Sequence, residues 1–201
     1  EKYSHNALID RYNNLKMSIL DKAQIGNSVQ VNIELSKDRL NKETVEAIQA
    51  LGGKAHGFVA DVRDADQVTE FKHEVMKRHA TVDILVNNVG DYRPLVRFLD
   101  SSPDSWKEMY DINLHHVFLV THAFLQLMID SGGGSIINVH SVEGMRGYPG
   151  DPVYGAMKAA VNHFSTCLAS GYGRNGIRAN GMGVDLTQTT QVDYISGYEL
   201  S

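Results

Sequence analysis

Tyr154 and Lys158 stand four residues apart. On a helix that spacing puts phenol and ammonium on one face, with Cβ atoms about 5–6 Å apart. A neighbouring cation favours phenolate and should lower a tyrosine pKa from about 10 toward the range useful for proton transfer. Alone, the pair reads as a solvated helix face. Two more residues change the reading: Ser141, thirteen positions earlier and just past a buried apolar run, and Asn113, a further twenty-eight positions back in a helical stretch. In a parallel sheet with flanking helices, these four polar groups converge at the carboxyl edge, where such folds bind ligands.

The elements that must position them follow from apolar spacing. Residues 29–33 read as a strand, and Leu40, Val45, Ile48 and Leu51 recur at helical spacing from about Ser36 until Gly52 and Gly53 stop the helix. Phe58 and Val59 mark the next strand, ending at Asp61. Val68, Phe71, Val75 and Met76 form one face of a second helix, and residues 82–86 are a continuous apolar strand closed by Asn87-Asn88-Val89-Gly90. A continuous run predicts burial on both faces. Ser102 before Pro103 is a helix start, with the pattern running through Trp106, Met109 and Ile112 toward Ile129 until three glycines end it. Residues 136–139 read as a strand and 144–151 as a loop. Pro152 then opens a helix through Leu168, and 177–180 form one more strand. Short apolar runs alternating with helical patterns predict an α/β fold with a parallel sheet, and the lack of repeats or linkers predicts one domain over residues 1–201.

Composition excludes several classes. The 201 residues carry 19 Lys and Arg against 24 Asp and Glu, a net charge of −5 with no basic block, so neither a nucleic-acid nor an anionic-membrane surface has electrostatic support. The uncharged run at 112–129 reaches the lower edge for a membrane span, about 18 residues, but its histidines and Asn113 suit a helix buried against protein. A lone cysteine, Cys167, excludes an internal disulfide and suits a reducing cytoplasm. The chain begins at Glu1 rather than Met, which leaves room for a targeting peptide ahead of it.

In order and spacing, these motifs resemble the short-chain dehydrogenase/reductase family over residues 29–180. The resemblance rests on Asn87-Asn88-Val89-Gly90, on Asn113, Ser141, Tyr154 and Lys158, on Asp61-Val62, and on the stretch from Gly176 to Asn180. It implies a three-layer, doubly wound, Rossmann-like parallel sheet and an oxidoreductase that transfers hydride between NAD or NADP and a carbonyl or secondary alcohol. By that resemblance Tyr154 is the acid/base, Ser141 bonds the substrate oxygen, Lys158 holds the nicotinamide ribose and lowers the tyrosine pKa, and Asn113 positions water in a proton relay. Asp61 and Val62 would edge the adenine, Asn87 and Gly90 line the cofactor floor, and Thr189 contact the nicotinamide. Glu34, ending the second strand, would accept from a free ribose 2′-hydroxyl and so weakly favours NAD, whereas Lys37 or Arg39 would recruit a 2′-phosphate.

The chain also departs from the family pattern. The segment equivalent to the glycine-rich phosphate turn, residues 7–16, has no glycine, and Tyr12 and Asp10 would obstruct and repel a pyrophosphate. Val184-Asp185 replaces Pro-Gly, and the sequence ends at Ser201, short of the family's final helix and strand. Two functional readings follow: an enzyme acting on a small carbonyl or alcohol, or a non-catalytic relative or inactive fragment with impaired cofactor binding. No metal site is expected, since His73 and His79 lie about 240° apart around their helix. His115, His116 and His122 read as packing or interface groups, His140 as structural and Cys167 as packed in its helix. A homodimer or homotetramer is expected through residues 102–129 and 154–172. The first of these helices is apolar on nearly every side, and Gly155, Ala156, Ala159 and Ala160 permit close approach on the second.

Overall fold

The computed structural model describes residues 45–91 and 96–185, so the strand expected at 29–33, the helix start at Ser36 and the glycine-free segment 7–16 lie outside the described residues. Residues 45–50 are helical and close in a turn at Leu51 and Gly52, as the spacing predicts. Next come α1 (Ala65–Met76), β1 (Ile84–Asn87), α2 (Pro103–Tyr110), a π turn (Asp111–His115), α3 (His116–Asp130), β2 (Gly134–Ser141), α4 (Pro152–Tyr172) and β3 (Ile177–Val184). All these residues fall within one compact unit.

Helix boundaries follow the local chemistry. Asp64 caps α1 by accepting from the amides of Asp66 and Gln67, and Ser102 and Ser105 cap α2 reciprocally ahead of Pro103. Asp151 caps α4, with Pro152 in the first turn. Between α3 and β2, Gly133 adopts φ 114°, and a Cβ there would lie 2.3 Å from the Gly176 carbonyl oxygen, so only glycine fits.

The three strands are parallel in the order β1-β2-β3, with Asn87 opposite Asn138 and Ile136 opposite Ala179. Successive right-handed crossovers in one direction put their helices on one face. The core on that face joins Leu85, Ile136, Ile177 and Ala179 to Val68, Phe71 and Val75 of α1, Val120, Phe124 and Met128 of α3, and Leu168 of α4. Phe71 meets Phe124 edge-on at 5.5 Å. A second cluster, Leu114, Val117 and Val161, locks α3 to α4, with Phe118 edge-on to Phe164 at 4.8 Å.

Three expectations need correction. Leu85 and Asn87 of β1 are buried, but Ile84 and Val86 are exposed, because the described crossover helices cover the opposite face. Phe58 and Val59 pair with no strand among the described residues: Phe58 packs on the core beside buried Ala60 while Val59 points to solvent. Cys167 is exposed rather than packed. The run Pro103–Asp130 is long and apolar enough to cross a membrane by length and composition. Here Val117, Val120, Phe124 and Met128 pack it onto the chain's own core, and Phe118, Leu119, Leu125 and Leu127 are partly covered as well.

Candidate active site

β2 ends at Ser141 and α4 starts at Pro152, so the sheet's carboxyl edge and the first turns of α4 meet. The Ser141 hydroxyl bonds the Tyr154 phenol and accepts the Glu143 amide at 3.2 Å. One turn on, Lys158 is only 5% exposed and its Nζ lies over the Tyr154 ring, 5.6 Å from the centroid. Among the described residues this ammonium has no hydrogen-bond or ion-pair partner, and burial lowers its pKa to about 8.

Asn113 sits in the π turn between α2 and α3, an irregularity common at functional sites. Its Nδ2 donates to the Asp91 carbonyl at 2.7 Å and its Oδ1 accepts the Asp91 amide at 3.2 Å, which fastens the loop after β1. Gly90 lies where that loop passes Lys158. A Cβ on it would be 2.6 Å from Lys158 Nζ and 3.0 Å from Asn113 Oδ1, so glycine is what lets the two side chains approach one point. Thus the fold gathers Ser141, Tyr154, Lys158, Asn113 and Gly90.

Electrostatics at Tyr154 run opposite to the expectation. The phenol is held above the ordinary tyrosine value, with burial as the largest cause. The Ser141 hydrogen bond pulls it down, and the negative charges of Asp151, Glu143 and Asp91 push it further up. Lys158 lies over the ring face and is itself costly to keep charged, so it does not produce the downward shift that the four-residue spacing suggested.

Asn87 is buried and donates to Thr121 Oγ1 at 3.0 Å and Asn138 Oδ1 at 2.7 Å, while Asn138 donates to Ser165 Oγ at 2.9 Å. This polar chain ties β1 and β2 to α3 and α4 directly beneath the site. Asp61 is paired with Arg63 at 2.6 Å, which holds its carboxyl below the usual range. The Val62 side chain is 1% exposed and built into the core, so only its backbone can meet a ligand. Glu34 and Thr189 lie outside the described residues.

Sequence reasoning missed Asp151, Glu143, Asn138 and Ser165 as members of the site's surroundings. Only Asp151 carried a local signal, as a capping type directly before Pro152. His116 is 1% exposed, and burial, helped by the Lys158 charge, depresses its pKa to about 3. His140 is buried, its Nδ1 3.1 Å from the Ser141 carbonyl oxygen. Among the described residues no three His, Cys, Asp or Glu side chains are grouped to hold a metal.

The family model described as short chain dehydrogenase matches residues 20–197. The chain is 33% identical to a 3-oxoacyl-[acyl-carrier-protein] reductase of Synechocystis over 90% of its own length and 72% of the relative's. It is 34% identical to the FabG reductase of Thermotoga maritima, over 80% of this chain and 64% of that one. Among solved structures, a gluconate 5-dehydrogenase from Burkholderia cenocepacia, crystallised with NADP and tartrate, superposes with TM-score 0.75 at 30% identity, over 83% of this chain and 64% of that one. Levodione reductase superposes with TM-score 0.71 at 28% identity, over 75% and 59%. The chain thus spans about two thirds of the length of such relatives. With the parallel sheet, the site geometry and these matches in agreement, the chain belongs to the short-chain dehydrogenase/reductase family.

Proposed function

We propose that this chain is an NAD(P)-dependent oxidoreductase that interconverts a small carbonyl compound and its secondary alcohol, with Tyr154 as the acid/base. The observation that carries the reading is a buried Lys158 ammonium, without an acceptor among the described residues, beside a phenol already bonded to Ser141. A buried cation left unpaired is costly and marks a place for an incoming acceptor. The cradle at Gly90, which any Cβ would fill, supports a ligand at the same point. The described residues therefore fit the nicotinamide-ribose end of a dinucleotide, with Lys158, Asn87 and Gly90 holding it and Asp61 and the Val62 backbone at its adenine end. When bound, the nicotinamide supplies or accepts a hydride.

In reduction the Tyr154 phenol gives its proton to the carbonyl oxygen as that oxygen gains negative charge, and Ser141 holds the oxygen in place by hydrogen bonding. In oxidation the phenolate takes the alcohol proton. Because Tyr154 is held above its ordinary value, it is protonated at neutral pH and is ready for reduction. Asn113 keeps the loop after β1 closed over Lys158 through Asp91, and its resemblance-based role in a water relay fits that position. Glu34 remains the feature favouring NAD, although the similar gluconate 5-dehydrogenase was crystallised with NADP. A cytoplasmic homodimer or homotetramer completes the proposal.

Calorimetric titration with NAD and with NADP tests it. Binding of either at micromolar concentration, falling above about pH 8 as Lys158 loses its proton, is the expected result. No binding of either dinucleotide would overturn the enzyme reading in favour of a non-catalytic relative, the alternative that the glycine-free segment 7–16 supports.

A further inference from the structure

His140 is 3% exposed and directly precedes Ser141 at the end of β2. Its Nδ1 lies 3.1 Å from the Ser141 carbonyl oxygen. A carbonyl oxygen only accepts, so this hydrogen bond puts the imidazole proton on Nδ1 and makes Nε2 the acceptor of the neutral ring.

The neighbouring strand leaves the space for that ring. His140 stands opposite Gly183 in the register of β2 and β3. A Cβ on Gly183 would lie 2.9 Å from His140 Cε1, and one on Gly181 would lie 3.0 Å from Cδ2 and 3.1 Å from Nε2. An aliphatic side chain would fill the same slot without taking a polar ring out of water, so packing alone does not account for the imidazole.

The imidazole holds the peptide that leaves Ser141. Ser141 has extended backbone, φ −124° and ψ 154°, and its carbonyl leads into the turn Val142–Gly144. In that turn the Glu143 amide donates to Ser141 Oγ at 3.2 Å, and the same hydroxyl bonds the Tyr154 phenol. Rotating the peptide after Ser141 would carry the Glu143 amide away from Oγ.

We propose that His140 is a positioning residue for Ser141: through Nδ1 it fixes the Ser141 carbonyl, and with it the turn whose Glu143 amide aims the Ser141 hydroxyl at Tyr154. The effect on turnover rests on the oxidoreductase reading; the effect on the turn does not.

The test therefore has an arm without ligand. In the full chain, nitrogen-15 NMR of labelled histidine should show the Nδ1-protonated tautomer at residue 140, its signal assigned by loss in His140→Asn. Asparagine places an amide nitrogen where Nδ1 stands, glutamine places one nearer Nε2, and leucine offers none. Hydrogen-exchange protection of the Glu143 amide should fall on the order of tenfold in His140→Gln and His140→Leu and be kept in His140→Asn. Under turnover kcat should follow the same order, falling about ten- to a hundredfold in the glutamine and leucine variants with dinucleotide affinity unchanged. A side chain that merely filled space would give the opposite order, since asparagine is the smallest of the replacements. The glutamine variant serves if the leucine variant fails to fold. An Nε2-protonated tautomer, or a Glu143 amide no better protected in the asparagine variant than in the others, overturns the proposal whatever the turnover. Absence of dinucleotide binding in the unsubstituted chain would instead count against the oxidoreductase reading, and the exchange order would still decide the positioning.

Discussion

The N-terminal ends of α1 and α4 share one local design and differ in everything that follows. Each begins at an aspartate whose side chain accepts backbone amides. At α1, Asp64 is solvated, takes two amides and the Gln67 side chain, and its carboxyl is held below the usual range by those hydrogen bonds. At α4, Asp151 takes one amide, is buried with its other oxygen unpartnered among the described residues, and burial pushes its carboxyl up. Nearby groups follow suit. Asp61 and Arg63 beside α1 pair with each other, whereas Tyr154 and Lys158 in α4 are driven away from their charged forms by burial. Partners stabilise charge at the α1 terminus, whereas burial disfavours it at the α4 terminus, where the proposed chemistry is placed.

The largest expected effect comes from removing the proton that this contrast protects. Tyr154→Phe should lower turnover by about 10²- to 10⁴-fold while leaving the fold and dinucleotide affinity nearly intact, as checked by initial rates and calorimetry. Near-normal turnover would remove Tyr154 as acid/base. Next, Gly90→Ala puts a Cβ within 2.6 Å of Lys158 Nζ and 3.0 Å of Asn113 Oδ1. Dinucleotide affinity should fall on the order of tenfold, about 1.4 kcal/mol, as the ammonium is displaced. Unaltered affinity would place the ligand away from this cradle.

The two caps themselves should respond with opposite signs. The folded-state pKa of Asp64 is depressed, so its stabilisation is present above the unfolded value and lost as pH falls through the folded one. For Asp151 the folded value is raised: the native state keeps a proton that the unfolded chain has released, and stability falls as pH rises from the unfolded value through the folded one. Melting curves at pH 7 should therefore show Asp64→Asn below the unsubstituted chain and Asp151→Asn level with it or above. Both differences should vanish at strongly acid pH. Equal signs at pH 7 would erase the contrast. The smallest effect belongs to Arg63→Ala. Because its pair with Asp61 is half exposed, denaturant unfolding should change by no more than about 0.5 kcal/mol.

The site was more legible than its electrostatics. Tyr154, Lys158, Ser141 and Asn113 could be found because helical spacing, a strand end and a polar residue in an apolar helix are local patterns. The π turn at Asn113 and the chain from Asn87 through Asn138 to Ser165 could not, since they depend on which segments the sheet brings side by side. The exposed Ile84 and Val86 show the same limit: an apolar run states that a strand exists, not which of its faces the helices cover.

By itself, then, the sequence determined the order of strands and helices from 65 onward, the cap at Ser102 and the helix start at Pro152, and the four polar residues Asn113, Ser141, Tyr154 and Lys158. Periodicity, capping and turn chemistry act within a few residues, and a single chain displays them in full. Only the tertiary structure decided the sign of the shift at Tyr154, the burial of Lys158 and the cost carried by Asp151. The reason is that desolvation depends on everything packed around a group. Lys158 is four residues from Tyr154 in sequence, yet what raises the phenol is burial first and then carboxylates from three different segments.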